Sequence, residues 1–171
     1  PRSDFLLTRQ AALEQLLGGP PAAGVTLVEV GVHLARLAFS LLGTHHGLQY
    51  IGVDPFQYGE DTSAESRARQ LRDLGLSPEE DGGDGATELS LEVRRAAEYK
   101  LGLFGSRAKL LAMPSVEAAE MVPDHSVDGV FIDGDHSYLQ VLRDIDAWEP
   151  KVKLGGFLSG HDFGNHPDVA R

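Results

Sequence analysis

Residues 127–136 read VDGVFIDGDH and join a short apolar strand to the polar turn that ends it. Val127–Ile132 predicts the strand, and Asp133-Gly134-Asp135-His136 predicts the turn. After this turn the apolar residues recur at helical intervals until Pro150. A strand, a polar turn and a helix in this order form the unit from which parallel α/β sheets are built.

The same succession of elements continues toward both ends of the chain. Further strands are predicted at residues 25–30, 50–53, 108–113 and 157–160, the last of them after a turn at Gly155-Gly156. Helices are predicted at residues 3–17, directly after Gly31, and at residues 62–74, 93–104 and 115–122. The acidic, glycine-rich residues 77–87 predict a mobile loop. Because strand and helix alternate five times, we expect an α/β fold with a doubly wound, mainly parallel sheet, in a single domain over residues 1–171.

The composition narrows the classes of partner. The 171 residues include 26 Asp and Glu but only 15 Lys and Arg, and the resulting net charge of −11 disfavours a nucleic-acid partner. No apolar stretch has the length of a membrane span and no targeting signal is visible, so we expect no membrane partner and a cytoplasmic location. The absence of cysteine excludes disulfides, thiolate metal sites and cysteine nucleophiles.

Two strand ends predict a site for a cofactor that contains a nucleoside. In doubly wound sheets, ligands bind beyond the carboxyl ends of the strands. Gly31 follows the first strand and would let a ligand approach the backbone more closely than any side chain allows. Asp54 follows the second strand, where a carboxylate can accept both ribose hydroxyls. The alternatives are a tight turn at Gly31 and a turn beside Pro55 that Asp54 caps.

Two further strand ends predict a metal site. Asp133 and His136 follow one strand, and His161 and Asp162 follow the next, so their side chains are expected to converge. Oxygen and nitrogen ligands of this kind suit Mg, Mn or Fe. The alternative is that the histidines form hydrogen bonds that close loops. We expect His45 and His46 to be solvated in a polar turn.

In these features the chain resembles the class I S-adenosylmethionine (SAM) dependent methyltransferases. It is most similar to the branch of small-molecule O-methyltransferases marked by Ile-Asp-Gly-Asp-His and a later Gly-Gly and His-Asp, which residues 131–163 carry as FIDGDHSYLQVLRDIDAWEPKVKLGGFLSGHDF. The resemblance covers residues 25–162 and implies a Rossmann-like fold that binds SAM. It implies that Glu29 and Gly31 border the methionine part, that Asp54 holds the ribose, and that Asp133 contacts the cofactor. It also implies that three residues lie near the adenine, namely Met113, Pro114 and Ser115.

The resemblance also implies the catalytic residues. In metal-dependent relatives, the positions of Asp133, His161 and Asp162 bind Mg, although His161 stands where those relatives have an acidic residue or its amide. His136 resembles their general base. The family continues with a sixth and a seventh strand, so we expect that this chain, which ends at Arg171, is truncated or that a partner such as a second copy covers the edge of the sheet.

The leading hypothesis is therefore methyl transfer from SAM to a hydroxyl of a small-molecule acceptor. A divalent cation such as Mg or Mn would assist the transfer. His136 would remove the acceptor proton, and Asp133 would hold the ion. One alternative is a SAM-binding or metal-binding module without turnover. The other is an NAD-dependent oxidoreductase, which the missing glycines of the dinucleotide fingerprint disfavour. We also expect a side chain at Gly31 to collide with the cofactor more than with the fold.

Overall fold

The protein is described from a computed structural model, which covers residues 2–19, 24–57, 71–72, 75 and 85–161. Its strands are β1 (Thr26–Val30), β2 (Gln49–Val53), β3 (Ala108–Leu111), β4 (Val127–Ile132) and β5 (Val152–Gly160). All neighbouring strands pair in parallel, in the order β3-β2-β1-β4-β5. The winding reverses between β1 and β4, and this point opens a crevice at the carboxyl ends of the strands. The expected doubly wound parallel sheet is confirmed.

Helices connect the strands and cover both faces of the sheet. Among the described residues they are α1 (Arg2–Leu16), α2 (Arg36–Thr44), α3 (Gly85–Gly102), α4 (Ser115–Glu120) and α5 (Tyr138–Trp148). Single 3-10 turns lie at Gly105–Arg107 and Glu149–Lys151. The predicted helix at residues 62–74 and the predicted loop at residues 77–87 lie mostly outside the described residues. Residues 71–72 are helical, and residues 85–87 belong to α3 rather than to the loop. No helix in the described part of the chain has the length and apolar character that crossing a membrane requires.

The core is divided between the two faces of the sheet. Leu27 and Val28 are adjacent in β1 and point into opposite apolar clusters, as the period of two in a strand requires. The cluster with Leu27 receives side chains from α1, α2 and α3, whereas the cluster with Val28 receives them from α4 and α5. Trp148 lies fully buried in the second cluster.

Two predicted boundaries, the start of the second helix and the start of the last strand, are wrong. The second helix begins at Arg36 and not directly after Gly31. Gly31, His33 and Ala35 have φ angles of 92°, 49° and 51°, so the intervening segment is a loop.

The last strand begins at Val152, so Gly155-Gly156 lies inside β5 rather than in a turn before it. The pairing with β4 shifts register between Val127 and Gly129, and Gly155 has a φ of 84°. A pair of glycines in a strand accommodates such an irregularity, because the left-handed conformation costs glycine little.

Polar contacts fix α1 on α2. The Ser40 hydroxyl donates to Gln10 at 2.6 Å, and a ring nitrogen of His45 lies 2.5 Å from a Glu14 carboxylate oxygen. One residue away from Glu14, Leu13 is buried in the core. The expectation that His45 is solvated is therefore wrong, because its side chain is only 9% exposed. His46 is exposed as expected.

Candidate functional site

A cavity of about 610 Å³ lies at the carboxyl ends of β1, β2 and β4 and beside the segment that follows β3. We call it the first cavity. Of the residues predicted to bind the cofactor, its wall includes Gly31, Asp54, Pro114, Ser115 and Asp133. Met113 and Glu29 are not among the described residues that line it; Met113 packs against the core on the side of α4 and α5. The sheet thus brings strand ends from distant parts of the sequence to one opening.

Asp54 presents a buried carboxylate to the first cavity. Its side-chain oxygens accept backbone N–H groups, one from His33 at 2.8 Å and one from Phe56 at 2.7 Å. Burial raises the pKa of Asp54 above its ordinary value, and the backbone hydrogen bonds oppose this shift. The residue therefore caps its own turn, as the alternative prediction held. The backbone of Val32 also donates to this carboxyl group, and the remaining lone pair of the carboxylate can accept a hydroxyl of a ligand.

Gly31 is required by the fold itself. Its φ is 92°, and a Cβ atom at this position would lie 2.2 Å from the backbone oxygen of Asp133. The backbone N–H of Asp133 also donates to Val30 at 2.7 Å, so the ends of β1 and β4 are tied together. The expectation that a side chain at Gly31 would collide mainly with the cofactor is wrong, because backbone atoms of the neighbouring strand end already fill that space.

Glu29 is bonded within the sheet. The Tyr50 hydroxyl donates to its carboxylate at 2.5 Å, and both side chains are buried. Burial raises the pKa of Glu29 to about 8, and the negative charges of Asp133 and Asp54 contribute to this rise. The Tyr50 hydrogen bond and the positive charge of Arg9 act in the opposite direction. Glu29 thus lies within the electrostatic field of the site although it does not border the cavity.

Asp133 and His161 converge as predicted, with 3.5 Å between Asp133 Oδ1 and His161 Nδ1. Arg9 of α1, which no sequence pattern singled out, joins them. Arg9 Nη1 donates to Asp133 Oδ2 at 2.5 Å, and Nη2 lies 3.0 Å from His161 Nδ1. Asp162 lies outside the described residues, so a metal bound to the three predicted ligands stays a prediction. Within the described ranges, no three His, Asp or Glu side chains form a group that could hold a metal ion.

His136 lines a second cavity, of about 410 Å³, between α5 and β5. We call it the second cavity. His161 and Ser159 also line it, together with apolar side chains of β4, α5 and β5. Gly134 and Asp135 border both cavities, so the two spaces adjoin at the turn after β4. The predicted catalytic histidine therefore stands next to the predicted cofactor site rather than in it.

A polar network that was not among the sequence predictions forms part of the wall of the first cavity. Asp144 is buried, and it accepts the Gln140 amide at 2.8 Å and a hydrogen bond from Ser115. Trp148 Nε1 donates to the Ser115 hydroxyl at 2.8 Å, so the single proton of that hydroxyl is available to Asp144. Burial raises the pKa of Asp144. The spacing of four residues between Gln140, Asp144 and Trp148 was the available signal, because it places them on one helix face.

Comparison with known proteins identifies the family of this chain. A family described as a methyltransferase domain matches residues 28–163. A search of curated proteins found no match. A solved structure from Corynebacterium glutamicum is similar at 15% identity and a TM-score of 0.52, and the alignment covers 98% of this chain and 73% of that protein.

Two other solved structures have TM-scores below 0.5. A cyclopropane-fatty-acyl-phospholipid synthase-like protein from Lactobacillus casei has 12% identity and a TM-score of 0.46, with 85% of this chain and 45% of that chain covered. A 16S rRNA (adenine(1408)-N(1))-methyltransferase from Catenulisporales acidiphilia has 17% identity and a TM-score of 0.42, with 88% and 52% covered. The chain thus spans about half the length of these two proteins. At 15% identity, the likeness to the Corynebacterium glutamicum structure concerns the fold alone, and the two structures with TM-scores below 0.5 support no argument about this chain.

Proposed function

This chain belongs to the methyltransferase-domain family, and we propose that it transfers the methyl group of SAM to a hydroxyl group of a small molecule. The Asp54 carboxylate on the wall of the first cavity is the observation that carries this function. The cavity volume of about 610 Å³ lies in the range of small-molecule sites. SAM, when bound, supplies an activated methyl group, so the protein contributes mainly position and orientation.

The residues of the first cavity suit the parts of SAM. Asp54 is held rigidly by two backbone amides and retains acceptor capacity for the ribose hydroxyls. Pro114 and Ser115 would border the adenine, and the tied ends of β1 and β4 at Gly31 and Asp133 would border the methionine part. Because Asp54 is already an acceptor of fixed orientation, a ribose would meet it without the cost of ordering a mobile side chain.

The second cavity suits the acceptor. It adjoins the first cavity at Gly134 and Asp135, and His136 on its wall can accept the proton of a hydroxyl as the methyl group arrives. The resemblance to metal-dependent relatives implies a divalent ion at Asp133, His161 and Asp162, which would lower the pKa of such a hydroxyl. In the described residues, Asp133 and His161 instead face the guanidinium of Arg9.

Calorimetric titration with S-adenosylhomocysteine (SAH), the demethylated product, tests the cofactor. We expect Asp54→Ala to weaken SAH by about 1–3 kcal/mol, because it removes the acceptor for the ribose hydroxyls. Asp124→Ala is the matched control, since Asp124 is exposed and contacts Lys151 far along the chain. Because Asp54 also caps a turn, the parent is titrated in parallel with the 2′,3′-dideoxy analogue of SAH. Equal affinity for the two ligands would contradict the ribose role, and no binding of SAH would refute the proposed function.

A radiolabelled methyl-transfer assay on a panel of phenols, catechols and sugar alcohols tests the reaction. Transfer that is lost in His136→Ala and kept in the control His46→Ala, whose side chain is exposed, supports a base at His136. Binding of SAH without transfer to any member of the panel would instead indicate a SAM-binding module without turnover.

A further inference from the structure

We propose that Arg9 is the resident cation of the site at the ends of β4 and β5, in the place for which the resemblance to metal-dependent methyltransferases implies a divalent ion. In this position Arg9 joins Asp133, on the wall of the first cavity, to His161, on the wall of the second. Arg9 is thus a positioning residue that sets the geometry between the two cavities.

The contacts of the guanidinium show which atoms of its two partners accept hydrogen bonds. Arginine has only donors, so His161 Nδ1, at 3.0 Å from Arg9 Nη2, must be the acceptor of that hydrogen bond. Asp133 accepts from Arg9 Nη1 as a carboxylate, and a planar guanidinium that contacts two groups holds them in a defined relative orientation.

Helix α1, which carries Arg9, is held in place by contacts of the residues that follow Arg9. Gln10 accepts from Ser40 on α2, Leu13 is buried in the core, and Glu14 contacts His45. These anchors begin at the residue next to Arg9 and continue for more than one helical turn. The guanidinium is therefore delivered to the site by an ordered backbone, and Arg9, Asp133 and His161 have side chains that are only 20%, 11% and 17% exposed.

A divalent ion between Asp133 and His161 would compete with the guanidinium for the same two side chains. It would have to displace the guanidinium from Asp133 and His161 while the charge of Arg9 remained nearby, and like charges at such distances in a partly buried site repel strongly. Arg9 is a cation of the chain itself, and it holds Asp133 and His161 in place without a metal.

Titration of the full chain with Mn²⁺, followed by electron paramagnetic resonance of the free ion, tests this inference independently of SAM binding and methyl transfer. We expect no specific Mn²⁺ binding by the parent. Arg9→Met should gain a Mn²⁺ site at least about tenfold tighter than any binding by the parent, because the positive charge of Arg9 no longer opposes an ion beside Asp133 and His161. Asp133→Asn in the Arg9→Met background should abolish the gain. Arg94→Met is the matched control, since Arg94 lies on the surface of α3 and pairs with Glu98.

Specific binding of Mn²⁺ by the parent that is lost in Asp133→Asn would overturn the inference, and so would the absence of any gain in Arg9→Met. The thermal midpoints of the parent, Arg9→Met, Asp133→Asn and the double variant form a second test. The two changes should be non-additive by about 2 °C or more, because they remove the same contact; additive changes would overturn the inference. If Arg9→Met does not fold, Arg9→Gln, which keeps donors without the charge, replaces it in both tests.

Discussion

Replacement of Gly31 by alanine should lower the stability of the fold, whether or not a cofactor is present. A residue with a side chain at a φ of 92° incurs about 1–2 kcal/mol of backbone strain. The new Cβ would lie 2.2 Å from the Asp133 oxygen and 2.7 Å from Gly134 Cα, and forcing these backbone atoms apart costs about 1–3 kcal/mol more. The reduced freedom of the unfolded chain returns about 0.4–1 kcal/mol.

The net expected loss is therefore about 1–4.6 kcal/mol in the free energy of unfolding, out of a total of about 5–15 kcal/mol for a typical domain. For a chain of this length, the loss corresponds to a fall of about 2–18 °C in the thermal midpoint. Thermal and urea unfolding followed by circular dichroism, without added ligand, give both quantities.

Gly43→Ala is the matched control. Gly43 lies in α2, and a Cβ there would meet nothing within 4 Å, so alanine should be neutral or slightly stabilising. If Gly31→Ala unfolds at the same midpoint as the parent and loses only its affinity for SAH, then Gly31 serves the ligand and the steric reasoning is refuted.

Two further predictions concern the buried carboxyl groups. Because the pKa of Glu29 is raised from 4.5 to about 8, the folded state keeps a proton that the unfolded state loses, and this contribution to stability is lost as the pH rises between those values. Urea unfolding across this range should show stability falling less steeply in Glu29→Gln than in the parent; identical slopes would contradict the shift. Asp144→Asn should lower the free energy of unfolding by about 1–3 kcal/mol, because its amide group places a donor against the Ser115 hydroxyl or the Gln140 amide. The exposed Asp146→Asn on the same helix should stay within about 0.5 kcal/mol of the parent, and an equal effect of the two variants would count against the network.

Most of the sheet could be predicted because its signals are local. β4 has the predicted bounds, and β1 and β2 begin within one residue of them, since an apolar run and the polar turn after it lie next to each other in the sequence. The start of β5 could not be predicted in this way. Whether Gly155-Gly156 forms a turn or lies within a strand depends on the register with β4, where Phe157 packs against Gly129.

The candidate site was also predictable in part: its location followed from the sequence, but the roles of its residues did not. Parallel strands place their carboxyl ends at one edge, so the sequence alone brought Gly31, Asp54 and Asp133 to one cavity. It could not assign their roles. Gly31 is needed because the backbone of Asp133 lies beside it, and Asp54 is held by amides of two different loops.

By itself, the sequence determined the order of strands and helices and the strand ends at which chemistry is expected, because periodicity and turn chemistry act over a few residues. Only the tertiary structure decided which charges meet. Arg9 precedes Asp133 by 124 positions and His161 by 152, and no local pattern marks it. Its place is set by how α1 packs on α2, since a contact between side chains so distant in the chain depends on the packing of whole elements.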